Sequence, residues 1–211
     1  LTWKLAPALA MGNAIVAKPS ELTPTTATML ASVLERAGLP PGVFNVLHGS
    51  GGSAGAALCS HPDVGALSFT GGTATGAAVA AAVAPRFAKL SLELGGKNAL
   101  IVLADVNNFD ETVDGAVRAA FLNSGQICLC ASRILVQRTD GSAPSEDFYE
   151  RFTTAFASRV RELTLGHPNH PSTDLGPLIS EAQRDKVTSY AANALAENGV
   201  TSLSGYGRDG D

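Results

Sequence analysis

A chain of 211 residues has room for one large domain or parts of two, and 45% hydrophobic residues supply the material for a substantial core. Charged residues reach only 16%, against 22 Gly and 11 Pro, which argues against a disordered or fibrous chain. The net charge of −4, without any Lys/Arg block, gives no support to a nucleic-acid surface.

The most apolar run, Ala74 to Pro85, is too short to cross a bilayer, and Leu1 to Ala10 lacks the basic leader and cleavage pattern of a secretory signal. Membrane partners are therefore not expected. An odd set of cysteines, Cys59, Cys128 and Cys130, makes no disulfide framework, so a reducing, cytoplasmic setting is the expectation. Both ends look cut: the chain opens without Met in an apolar segment and closes on GYGRDGD after a strand-like run. The expectation is a piece of a longer polypeptide.

In chain order, short β-branched runs alternate with helical patterns, the mark of an α/β fold with a parallel sheet. Residues 13–18 read as a buried strand and 24–37 as a helix stopped by Gly38-Leu39-Pro40-Pro41. A strand at 43–47 leads to a Gly-rich turn (49–55) and a short helix ending near His61-Pro62. A third strand, 65–69, turns through Thr70-Gly71-Gly72-Thr73 into an Ala-rich helix. Residues 89–94 form a fourth strand, broken by Gly95-Gly96. Beyond that break come a strand (98–103), a helix (110–122), a strand (132–137) and two amphipathic helices (145–163 and 180–198). The break is the expected domain boundary: residues 1–95 read as a nucleotide-binding type of unit, residues 96–211 as a second, incomplete α/β unit.

The most informative string is Asn123-Ser124-Gly125-Gln126-Ile127-Cys128. A cysteine attacks a carbonyl as thiolate, so it needs an accessible position among favourable dipoles. A glycine-containing loop between a helix and a strand offers both. The bland alternative is a small buried apolar residue, the usual fate of a free cysteine. The second string is Leu92-Glu93-Leu94-Gly95-Gly96-Lys97-Asn98. Glu93 falls at the C-terminal end of its strand, where α/β sheets place ligands, and a carboxylate there can act as a general base. Its alternative is a capping or ion-paired surface residue.

Together, LELGGKN followed 35 residues after its Glu by GQIC closely resembles the aldehyde dehydrogenase family. Other blocks in the family's order extend the resemblance over essentially the whole chain: WKLAPALAMGNAIVAKPSELTP, AGLPPGVFNVLHG, SHPDVGALSFTGGT and DLGPLIS. It implies part of a Rossmann-like NAD-binding domain followed by part of an α/β catalytic domain. It also implies a mechanism in which Cys128 adds to an aldehyde, a thioester forms on oxidation, and Glu93 activates the water that releases the acid. On this reading, nucleophile and base from either side of the domain junction face one cleft. The family's oxyanion hole pairs the cysteine N–H with an Asn in a block upstream of LTWK, absent from this sequence. Losing one such donor costs on the order of 10²–10³ in rate. A chain that only binds nucleotide or a partner is the alternative from another class; an acylating enzyme that uses coenzyme A is the nearer one, against which Glu93 argues.

For the cofactor, Gly49-Ser50-Gly51-Gly52-Ser53-Ala54 is a passable G-x-G-x-x-A after a strand, but no acidic residue ends a strand about 20 residues on. The strand-to-helix turn Phe69 to Gly76 is the other candidate, since free N–H groups there can hold a diphosphate. The resemblance favours this second loop, although Gly72 stands where the family commonly has Ser. It implies cofactor contacts at Lys18, Ser20, Glu21, Gly71, Gly72, Thr73, Gly76 and Leu94. A carboxylate at Glu21 would accept both ribose hydroxyls and repel a 2′-phosphate, which favours NAD over NADP. The alternative for Lys18 and Glu21 is an ordinary solvated pair.

LTWK, KLSLELGGKN and ICLCAS most resemble the branch that oxidises 2-aminomuconate or 2-hydroxymuconate semialdehyde. Trp3 and Lys4 fall where the family lines its substrate channel, with a core Trp and a solvated Lys as alternatives. A homo-oligomer, dimer or tetramer, is implied for the full-length protein. No metal is expected: Cys130 with Cys128, and His167 with His170, lack further ligands at suitable spacing.

Overall fold

Strands form in this chain at short runs rich in Val, Ile, Leu and Phe, and a helix separates successive strands except the fourth and fifth, which Gly95-Gly96 divides. The computed structural model describes residues 1–138 and 148–203. The chain divides into two compact units, Leu1–Gly95 and Gly96–Asp211.

The first unit opens with a helix that sequence analysis read only as an apolar segment. Helix α1 spans Thr2–Ala10 with Pro7 inside it. It ends where Gly12 takes a left-handed φ of 78°, its N–H bonding Leu9 O at 2.9 Å. Strand β1 (Ile15–Ala17) pairs in parallel with β2 (Phe44–Val46), Ile15 opposite Phe44. The connection is helix α2, Thr25–Arg36. Its stop is a Schellman arrangement: Leu39 N–H returns to Leu34 O and Gly38 N–H to Glu35 O, each at 3.0 Å. Gly38 carries the φ of 91° that this turn needs.

A π-helical turn, Gly51–Gly55, then leads into the short helix α3, Ala56–Ser60. Strands β3 (Ala66–Gly71) and β4 (Lys89–Leu94) pair in parallel across helix α4, Thr73–Val83. The third strand outruns its expected end at Phe69, because Thr70 and Gly71 continue the ladder opposite Glu93 and Leu94. Gly72 alone makes the turn into the helix. The core of the unit is Cys59, Val79 and Val83, with Leu67, Phe69 and Leu92 packed against it. Arg86 pins the unit's edge, donating to Cys59 O at 2.8 Å and Val64 O at 3.1 Å.

In the second unit, β5 (Ala99–Val102) pairs in parallel with β6 (Arg133–Val136). Helix α5 (Phe109–Phe121) lies between them in sequence, capped by Asn108, whose side chain accepts from Glu111 N. Asp110 and Glu111 in its first turn complement the helix dipole. Helix α6 covers Phe148–Arg161; the expected start at Ser145 lies outside the described residues, as does the closing GYGRDGD. Helix α7, Glu181–Leu195, starts at Ser180, whose hydroxyl accepts from Gln183 N at 3.2 Å. Val102, Val113, Ala116, Phe148 and Phe152 form the core. A chain of aromatic contacts runs through it, from Phe109 across Phe148 and Phe152 to Phe156, with centroids 6.0 to 6.4 Å apart. Among the described residues, no helix is long and apolar enough to cross a membrane.

Candidate active site

Helix α5 runs out at Phe121 into a single 3₁₀ turn, Leu122–Gly125. Three successive residues there take left-handed backbone angles: Asn123 (φ 54°), Ser124 (φ 57°) and Gly125 (φ 70°). Asn and Gly accept this region readily, whereas Ser pays on the order of 1–2 kcal/mol. The Ser124 hydroxyl offsets part of that cost by donating to Gly176 O at 2.9 Å. Gln126 is held on the same side, its Oε1 accepting from Ile179 N. The DLGPLIS block thus braces the loop that carries Cys128. Asn123, Ser124 and Gln126 share with Pro168, Thr173 and Pro177 the walls of a shallow pocket of about 320 Å³.

Past Gly125 the chain makes a tight turn, Ile127 to Cys130, closed by Cys130 N–H to Ile127 O at 3.0 Å. The three cysteines now separate. Cys59 is buried in the core of the first unit, Cys130 is half-buried, and Cys128 is exposed. The Cys130 sulfur leans on Leu122 O at 3.5 Å, a packing role. Asn98 reaches the turn from the start of β5, donating to Cys128 O at 2.5 Å and Cys130 O at 3.2 Å.

In the first unit the period-2 alternation of strands sorts the side chains. Leu67, Phe69 and Leu92 enter the core, so Ser68, Thr70, Ser91 and Glu93 share the other face. Glu93 is exposed, one residue before the end of β4 and opposite Thr70. Lys4 of α1 joins this face, its ammonium donating to Ser68 Oγ at 2.6 Å. Burial pushes the Lys4 amine below its ordinary value of 10.5, while the charge of Glu93 acts in the opposite direction. Sequence reasoning missed this grouping. The alternation Leu-Ser-Phe-Thr and Leu-Ser-Leu-Glu is the signal that could have found it. Trp3, by contrast, is 80% exposed.

The residues expected at the cofactor fall in two places within this unit. Lys18 is half-buried, with Nζ on Pro19 O at 2.6 Å and Gly49 O at 3.3 Å, and 3.8 Å from the exposed Glu21 carboxylate. Its aliphatic stem runs past Gly55, where an added Cβ would stand 3.7 Å from Lys18 Cδ and Cε. Ser20 is exposed and makes a local turn, its Oγ accepting from Leu22 N. The other place is the start of α4. Gly72 is its N-cap and makes no side-chain cap, and a Cβ there would meet nothing within 4 Å. Gly76 N–H is the first to turn back, to Gly72 O at 2.9 Å, which leaves the N–H groups of Thr73, Ala74 and Thr75 facing outward. Such an uncapped helix start fits an anionic diphosphate. Gly76 and Leu94 touch where α4 crosses the end of β4. Among the described residues, no group of three or more His, Cys, Asp or Glu could hold a metal ion.

The aldehyde dehydrogenase family matches residues 1–211. The chain is 50% identical over 208 residues to a 2-aminomuconic 6-semialdehyde dehydrogenase of Pseudomonas sp, covering 98% of this chain and 40% of that protein. It is 48% identical to the human 2-aminomuconic semialdehyde dehydrogenase (93% and 39% covered). The 2-hydroxymuconic semialdehyde dehydrogenase of Pseudomonas putida is 47% identical (98% and 41% covered). Among solved structures, betaine aldehyde dehydrogenase of Staphylococcus aureus in complex with NAD+ superposes with a TM-score of 0.84 at 38% identity, over 93% of this chain and 37% of that one. PnpE from Pseudomonas sp. WBC-3 gives 0.85 at 41% identity, over 92% and 38%. The chain spans about two fifths of the length of the curated relatives it matches. With an α/β fold shared with these structures and a family match from its first residue to its last, the chain belongs to the aldehyde dehydrogenase family.

Proposed function

We propose that the protein carrying this chain oxidises a semialdehyde of the muconate type to the carboxylic acid, with NAD as oxidant, Cys128 as nucleophile and Glu93 as general base. The observation that carries the reading is that Cys128 is exposed on a braced turn, while Cys59 is buried and Cys130 leans on a backbone carbonyl. Residues 1–95 act as the NAD-binding part and residues 96–211 as the catalytic part. The start of α4 (Gly71, Gly72, Thr73, Gly76) holds the diphosphate, Lys18, Ser20 and Glu21 hold the adenosine ribose, and Leu94 packs beside the nicotinamide. NAD, when bound, supplies the hydride acceptor.

The protein's own part is as follows. Cys128 Sγ, as thiolate, forms a C–S bond to the aldehyde carbon, and the carbonyl electron pair moves to oxygen. Once that carbon has lost its hydride it remains on sulfur as a thioester. Glu93 takes a proton from water, the resulting hydroxide adds to the thioester carbon, and the C–S bond breaks to return thiolate and free acid. Trp3 and Lys4 border the path of the substrate. The preference for a muconate-type semialdehyde rests on the names of the relatives with 47 to 50% identity. We take the full-length protein to be a cytoplasmic homo-oligomer, dimer or tetramer, which size-exclusion chromatography tests.

The experiment is NADH absorbance on mixing the full-length protein with NAD and 2-hydroxymuconate semialdehyde. A burst is expected in the wild type and in Cys130→Ala, and none in Cys128→Ala. Nucleotide binding without a burst in the wild type would overturn the reading in favour of a chain that only binds.

A further inference from the structure

The motif LELGGKN supplies the proposed base, and its last residue has a separate part in the structure. Asn98 stands just before β5, fixed at the mouth of the β5–β6 ladder. Its carbonyl oxygen accepts from Arg133 N at 3.0 Å and from Ser132 Oγ at 3.4 Å. The Arg133 guanidinium closes on the preceding carbonyl, Lys97 O, at 3.1 and 2.8 Å. From that anchored backbone the side-chain amide reaches across 30 residues of sequence to the turn of the cysteine. One nitrogen, Nδ2, meets both Cys128 O (2.5 Å) and Cys130 O (3.2 Å). An amide nitrogen carries two protons, so one group satisfies both acceptors.

We propose that Asn98 is a positioning residue for Cys128, acting through the backbone of the turn and not through the sulfur. The inference rests on the reading of Cys128 as nucleophile. Its physical content lies in the peptide planes. Ile127 O is held by Cys130 N–H inside the turn, so in a planar trans peptide the Cys128 N–H points the opposite way, outward. Cys128 O is drawn to Asn98 on the next plane. Both planes that flank the Cys128 Cα are thus fixed, one by the turn and one by Asn98. On the upstream side the loop is held at Ser124 and Gln126; on the downstream side Ala131 N–H bonds Ala119 O at 2.9 Å, and Asn98 is the side chain that holds the Cys128 carbonyl itself. The side chain needed here is a short double donor. Asp has no N–H and would set a carboxylate against two carbonyl oxygens. Ala leaves both acceptors to water. Gln keeps both protons on a stem one methylene longer.

The test uses the full-length protein with Asn98→Ala, Asn98→Asp and Asn98→Gln, read in two ways. In steady state, mis-aiming the Cys128 N–H away from the oxygen that develops negative charge lowers kcat by about tenfold in Asn98→Ala, short of the 10²–10³ for full removal, with KM for the aldehyde within about twofold. Asn98→Asp falls further and Asn98→Gln regains part of the loss. In hydrogen exchange, the Cys130 amide loses about tenfold protection in Asn98→Ala, the scale of one hydrogen bond, while the amides of β5 and β6 keep theirs. Wild-type kcat together with unchanged Cys130 exchange would overturn the proposal. So would losses that appear equally across β5 and β6, which would make Asn98 a plain structural residue. If the wild type shows no dehydrogenase activity, the function proposed above fails, while the exchange experiment still decides whether Asn98 holds the turn.

Discussion

Gly76 of α4 lies directly against Leu94 of β4: a Cβ added to the glycine would stand 2.6 Å from Leu94 Cδ2 and 3.2 Å from Cδ1. Two effects compete in Gly76→Ala. Helix propensity favours alanine by about 1 kcal/mol, and overpacking a filled site costs about 1–3 kcal/mol. Gly76 is buried, but the clash is with the free end of the half-buried Leu94 side chain, which can shift, so the two effects leave a net loss of about 0–2 kcal/mol, toward the lower end. Leu94→Ala in the same chain makes room for the methyl, so the double variant should be more stable than the sum of the singles predicts. Urea unfolding of all four proteins measures the coupling. Strict additivity would mean that the contact exerts no force.

The Lys4 amine is held below 10.5 by burial, with Glu93 opposing. In the unfolded chain the amine returns to its ordinary value, so between the two values the unfolded state binds more protons. Stability therefore rises with pH across that window and falls again as pH drops through the lowered value. Lys4→Met removes this titration. The urea midpoint of the wild type, followed from pH 7 to pH 11, should gain on that of the variant as pH rises. Parallel curves would show that the amine is not penalised. The lost bond to Ser68 shifts the variant by a constant and does not alter the slope.

Much of the fold was legible because each element carries its own punctuation. The stop of α2 was written in Gly38-Leu39, and the structure makes a Schellman turn of those residues. Helix α1 was not legible: Pro7 within it removes a backbone donor and argues locally against helix, and tertiary context overrides it. Thr70 and Gly71 look locally like turn because glycine pairs punctuate chains, but the partner strand supplies bonds that propensity cannot see. For the candidate site, sequence pattern picked out Cys128 and Glu93 as chemical groups. It could not show that Asn98 spans 30 residues to the cysteine turn, nor that Lys4 crosses 64 residues to Ser68, because neither pairing leaves a periodic trace.

Phe152 is 2% exposed in the core of the second unit, stacked on Phe156 at 6.0 Å and edge-on to Phe109 at 6.4 Å. Phe152→Ala should cost about 3–5 kcal/mol, a large share of the roughly 5–15 kcal/mol that holds an ordinary domain folded. Phe152→Leu keeps most of the volume and should cost under about 1.5 kcal/mol. The check is hydrogen exchange at the Val113 amide beside it. Equal exchange in the two variants would mean that the aromatic cluster is not what holds α5 to α6.

Glu93→Gln separates the two chemical steps assigned to the protein. Glutamine keeps the shape of the side chain on β4 but cannot take a proton from water, whereas carbon–sulfur bond formation at Cys128 needs no carboxylate. Positioned general bases contribute about 10²–10⁴-fold, so steady-state turnover should fall by that range while the first-turnover burst of NADH persists. Rapid-mixing absorbance gives the burst, and mass spectrometry of the quenched protein should find the acyl group on the Cys128 peptide. A variant that loses burst and turnover together would place Glu93 before thioester formation, in activating the thiol. The timing of the burst is what distinguishes the two roles.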